Sequence, residues 1–109
     1  MSSLLIVLLI ISPVMLDAQD ISLPAPMTSG GKPLMDALSE RQSSRSFSET
    51  ELSPQQLSDL LWAAWGINRP ADGKRTAPSS HNRREMDVYV TLKSGLYLYD
   101  AADNILKQI

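Results

Sequence analysis

The sequence predicts an α+β fold in which two helices are followed by a long irregular stretch and then an antiparallel β-meander. Three observations carry this. Apolar residues between Ser53 and Gly66 recur at helical spacing behind a complete start signal, and from Val88 the period shortens to two with β-branched residues. Between them, Ile67 to Arg84 has neither period and is dense in turn formers. The chain's 109 residues allow one domain, and 43% hydrophobic against 20% charged residues is the balance of an ordinary globular chain. A net charge of -2 gives no reason to expect nucleic acid, which selects for a basic excess. The absence of cysteine excludes disulfides, thiolate catalysis and Cys-ligated metal.

Residues 1–18 read as a signal peptide. Leu4 to Ile11 is an unbroken apolar run, Pro13 breaks it, and Leu16-Asp-Ala18 puts a small residue before Gln19, where the mature chain is expected to begin. The run is too short to span a bilayer, so the expectation is export without a stable membrane anchor. A buried N-terminal strand or helix is the competing reading.

Residues 19–32 form the next unit, with Pro24, Pro26 and the pair Gly30-Gly31. It is expected to be an extended arm lying along the domain or a neighbouring subunit. The remaining unit is 33–109. Pro33 suits the first turn of a helix and puts Leu34, Ala37, Leu38 and Arg41 on one face; the hydroxyls of Ser43 to Glu49 then favour a loop, with Phe47 expected to plug into a core.

The second helix has the clearest start. Ser53 can cap, Pro54 fits the first turn and Gln56 completes a capping box. Leu57, Leu60, Leu61, Ala64 and Trp65 make the expected buried stripe, Trp62 and Trp65 read as core rather than as a stacking platform, and Gly66 is expected to end the helix in a left-handed conformation. Ile67 to Arg84 then reads as a long loop with a short helical turn after Pro78. It carries Arg69, Lys74, Arg75, Arg83 and Arg84 against only Asp72, either as a solvated basic loop or because an anionic ligand lies nearby. Val88 to Leu92, Leu96 to Tyr99 and Ile105 to Ile109 are the three expected strands of the meander.

Two stretches carry chemistry. Arg41-Gln-Ser43-Ser-Arg45 sets two guanidinium forks around hydroxyls, a donor set that matches phosphate oxygens; the same composition also suits a solvated helix end. Ala77-Pro78-Ser79-Ser80-His81-Asn82 follows after one further helix. Together they resemble the nitroreductase family, whose signature is Arg-x-Ser-x-Arg followed by Ala-Pro-Ser-x-x-Asn, over about Lys32 to Ile109. Gly95-Leu-Tyr-Leu-Tyr-Asp100 also resembles the hairpin of the subgroup that includes azoline-oxidising dehydrogenases.

The resemblance implies an FMN-dependent oxidoreductase that takes electrons from NAD(P)H to a small-molecule acceptor, with the flavin at a homodimer interface. By position, Arg41 and Ser43 would contact the FMN phosphate, and Arg45 would lie near the phosphate or the pyrimidine edge. Pro78, Ser79, Ser80 and Asn82 would face the flavin from the partner subunit. Many members continue after the asparagine with Gln-Pro-Trp, where this chain has Arg83-Arg84-Glu85, so acceptor-side contacts do not carry over. Members are also longer, and the chain is expected to be the N-terminal part of such an enzyme, an incomplete domain inactive alone. No catalytic residue is assigned. A lone histidine, His81, gives neither a triad nor a metal site, and no glycine-rich nucleotide loop is present. The alternative from another class is a small exported α+β interaction module without catalysis.

Overall fold

The computed structural model describes residues 19–109; the signal-peptide reading of 1–18 lies outside them. In chain order the elements are β1 (Ile21–Ser22), α1 (Leu34–Glu40), α2 (Pro54–Trp65), β2 (Ile67–Arg69), β3 (Lys74–Arg75), a 3₁₀ turn (Ser80–Asn82), β4 (Tyr89–Leu92), β5 (Gly95–Asp100) and β6 (Ile105–Gln108). The architecture is α+β, as the sequence indicates.

The meander is present and gains a fourth strand. Sheet order is β1-β6-β5-β4, antiparallel throughout, with Ile21 opposite Leu106 and Ser22 opposite Ile105. The extra strand is the start of the arm. Two residues are too few to show a period, so pairing through backbone groups alone left no pattern to read. Beyond β1 the arm runs along α2: the amide of Met27 donates to Asp59 Oδ1 (2.7 Å), Gln55 Nε2 donates to the carbonyl of Ala25 (2.9 Å), and Leu23 is buried.

The core lies between α2 and one face of this sheet and comprises Leu23, Leu57, Leu61, Trp65, Tyr97, Tyr99 and Leu106. The capping box of α2 forms in full, Gln56 N donating to Ser53 Oγ and Ser53 N to Gln56 Oε1. Its buried face is rotated from the expected stripe. Leu57, Ser58, Leu61 and Trp65 point inward, whereas Leu60 and Ala64 are exposed. Ser58 takes an inward position because its hydroxyl has a partner there, the carbonyl of Pro24 at 2.5 Å. Of the two tryptophans, Trp65 is core and Trp62 is half-buried.

Three further expectations are corrected. Gly66 is extended (φ -69°, ψ 155°), not left-handed; glycine is needed there because a Cβ would fall 2.4 Å from Trp62 Cδ1 and 2.5 Å from its carbonyl oxygen. Phe47 is 88% exposed and plugs into no core, and α1 buries none of its side chains, Leu34, Met35 and Leu38 all being exposed. The stretch after α2 is not wholly loop, since β2 and β3 pair as a short irregular hairpin, Ile67 opposite Arg75.

Candidate functional site

The first anion-binding stretch begins where α1 stops. Arg41 leaves helical geometry (φ -62°, ψ 124°), so the chain is extended from the first arginine of the pattern. Residues 41–53 carry no regular structure and are exposed throughout. Among the described residues the side-chain bonds inside Ser43–Thr50 are local, Ser44 Oγ to the Ser46 carbonyl (3.1 Å) and Thr50 N to Ser48 Oγ (3.0 Å). Arg41, Ser43 and Arg45 make no hydrogen bond or ion pair among the described residues.

The second stretch is anchored by α2. Trp62 O accepts from the amide of Gly66 (2.8 Å) and from Thr76 Oγ1 (3.3 Å), and Trp65 O accepts from Arg75 Nη1 (3.0 Å). These bonds satisfy two of the last four carbonyls of the helix and place positive charge at its C-terminus, where the helix dipole favours it. The Arg75 guanidinium also lies over the Trp65 ring, 4.8 Å from its centroid. Residues 75–76 are therefore tied to α2, and Ala77–Asn82 leaves from a fixed point.

Within that segment Asn82 N donates to Ser79 O, Arg83 N to Ser80 O (both 3.1 Å), and Arg84 N to Ser79 Oγ (3.0 Å). His81, Asn82 and Arg84 have positive φ, 51° to 54°. Asparagine tolerates this conformation better than most residues; His81 and Arg84 hold it at a cost of order 1–3 kcal/mol each. The amides of Asn82, Arg83 and Arg84 are spent inside the turn, whereas those of Ser79, Ser80 and His81 donate no hydrogen bond among the described residues. Ser79 is half-buried, and Pro78, Ser80 and Asn82 are exposed. No hydrogen bond or ion pair joins residues 41–45 to 78–82 among the described residues.

The sequence shows Arg75 only as one cation of the basic stretch and gives Asn104 no role. Arg75 stands at the head of the second signature stretch and ten residues beyond the tryptophan it covers, which is the signal that could have found it. It also lines a cleft of about 190 Å³, walled by Trp65, Arg84, Asp87, Tyr99, Asp100 and Lys107 among others. Burial pushes the Tyr99 hydroxyl up, opposed by the nearby Arg75 charge. The Asp100 carboxylate is held below its usual range, first by the hydrogen bond from Lys107 (3.0 Å) and also by the amides of Ala102 and Asp103. No trio of His, Asp or Glu suited to a metal occurs among the described residues.

The arrangement defines a class: an α+β unit built on a capped helix and a small antiparallel sheet, presenting exposed guanidinium and hydroxyl donors on one loop and a hydrogen-bonded Pro-Ser-Ser turn on another. The model of the Nitroreductase family matches residues 38–109. The chain belongs to that family. It is also similar, at 47% identity and a TM-score of 0.77, to a crystal structure from Ralstonia eutropha JMP134 provisionally named a nitroreductase, a match covering 82% of this chain and 42% of that one. This chain thus spans about two fifths of that relative's length. No curated protein matches.

Proposed function

We propose that this chain supplies the phosphate-binding, N-terminal share of an FMN-dependent oxidoreductase that works as an exported homodimer with NAD(P)H as donor and a small molecule as acceptor. The observation that carries this is the set of unspent donors at Arg41, Ser43 and Arg45 within a stretch that matches the family. Two forked cations and a hydroxyl fit a phosphate monoester, and positive charge at Arg45 favours the anionic reduced ring. Bound FMN would supply the redox chemistry; the chain's part is to hold and tune it. Pro78, Ser79, Ser80 and Asn82 are assigned to the partner's flavin, which agrees with the lack of any bond between the two stretches within one chain. Exposed Leu34, Met35 and Leu38 on α1, beside the first stretch, give the homodimer an apolar surface to bury.

Loss of a charge-assisted hydrogen bond costs about 1.5–3 kcal/mol. In a flavin-binding form of the protein, Arg41→Ala is therefore expected to weaken FMN about tenfold to a hundredfold and riboflavin hardly at all. Equal loss for both ligands would remove Arg41 from the phosphate. Export is tested by N-terminal sequencing of the protein from its native host: the expected start is near Gln19, and an intact Met1 in a cytosolic fraction would overturn it.

A further inference from the structure

Gln19, the residue expected to lead the mature chain, stands just ahead of β1 with Asp20 between them. Both are tied to the end of β6: the Gln19 nitrogen donates to Gln108 Oε1 (2.8 Å), and Gln108 N donates to Asp20 Oδ1 (3.1 Å). The Gln19 side chain is not held. The residue is exposed and its side-chain amide makes no hydrogen bond among the described residues, so it is free to turn back on its own nitrogen. The end of the chain also matters to the sheet. β1 is 2 residues long and pairs Ile21 with Leu106 and Ser22 with Ile105, so trimming a few residues from this end would uncover the β6 edge.

We propose that Gln19 is a modification site, at which the freed α-amine closes on its own side-chain amide to form a pyroglutamate that blocks the end of the arm. The nitrogen's lone pair forms a bond to Cδ, the bond from Cδ to Nε2 breaks, and Nε2 leaves as ammonia with a proton from the α-amine. Nothing is oxidised or reduced and no co-reactant is needed. An α-amine titrates below a lysine, so a usable share is neutral and nucleophilic near neutral pH. Gln108 Oε1 is the one acceptor that the described residues offer this nitrogen, which suits the single N–H of a lactam better than the three of an ammonium. Ring closure removes the free amine that aminopeptidases require, and so shields β1. The site exists only if export frees Gln19 by a cut behind Ala18, and to that extent it rests on the export reading.

The test is mass spectrometry of the mature protein from its native host, on the intact chain and on its N-terminal peptide. The expected chain starts at Gln19, is lighter by one ammonia than its sequence requires, and resists aminopeptidase until a pyroglutamyl peptidase opens it. Gln19→Asn, whose shorter side chain cannot close the same ring, is expected to keep its full mass and to lose its first residue to aminopeptidase. A chain that starts at Gln19 with full mass and a free amine would overturn the modification and leave export standing, as would an exported chain that starts at another residue. An intact Met1 would overturn export and the modification together. Equal resistance of Gln19→Asn and wild type to aminopeptidase would show that docking on β6, not the ring, shields the end.

Discussion

Asn104 joins three parts of the molecule through one amide group. Its Nδ2 donates to the carbonyls of Pro24 (2.9 Å) and Leu23 (3.4 Å) and reaches Ser58 Oγ (3.4 Å), while its backbone carbonyl accepts from Leu23 N (3.1 Å). Its φ of 53° is one that asparagine accepts. Asn104→Ala removes the side-chain bonds and strains the backbone, so a loss of about 1–3 kcal/mol is expected in chemical denaturation. Asn104→Gly relieves the strain but not the lost bonds, and should fall between alanine and wild type; a glycine variant as stable as wild type would show that the amide contributes nothing. The signature residues Arg41, Ser43, Arg45 and Pro78 to Asn82 are legible in the chain because they form a pattern. The Asn104 and Ser58 contacts are not, because their partners are carbonyls 34 to 81 residues away.

Among the elements, α2 is the one most completely written in the sequence, since its caps are local. Ser53→Ala is expected to cost about 1 kcal/mol by leaving the Gln56 amide without its acceptor. Gly66→Ala is expected to cost about 1–3 kcal/mol, because the new methyl meets the Trp62 ring and carbonyl; an unchanged melting temperature would contradict this account of the glycine. Which face of β5 turns inward was not legible. Leu96-Tyr-Leu-Tyr99 is apolar in both phases, and only packing against Leu61 and Trp65 selects Tyr97 and Tyr99. The β5–β6 hairpin carries a pH dependence. Asp100, held below the ordinary carboxylate range, contributes stability that is present above about pH 4 and is lost as pH falls through its lower folded value. Lys107, raised above the ordinary lysine range, contributes a share that is present below about pH 10 and is lost only as pH rises through its higher folded value. Denaturation midpoints of Asp100→Asn should therefore fall less steeply than wild type below about pH 4. Parallel acid limbs would show that the pair has no energetic weight.

For the molecule as a whole, the arm is what the sequence left most open. An arm lying on the domain or on a neighbour was expected, and it lies on its own domain, closing the sheet edge at β6 through β1 and burying Leu23 against the core. The opposite edge, β4, and the exposed face of α1 remain uncovered by the described residues, and the candidate phosphate donors are exposed. Donors that face water compete with it for an anion, so purified residues 19–109 are expected to be colourless and to reduce no acceptor with NAD(P)H. Recovery of a yellow, stoichiometrically flavin-loaded protein would contradict that. The central claim is that Arg41 and Arg45 grip the FMN phosphate. Its most direct test joins residues 19–109 to the remaining length of the similar Ralstonia eutropha chain and measures FMN and riboflavin affinity for the folded chimera and for its Arg41→Ala and Arg45→Ala variants. The account predicts a yellow chimera in which Arg41→Ala weakens FMN about tenfold to a hundredfold, Arg45→Ala also weakens FMN, and Arg41→Ala leaves riboflavin nearly unchanged. A folded chimera without flavin, or variants that bind FMN as tightly as their parent, would contradict it.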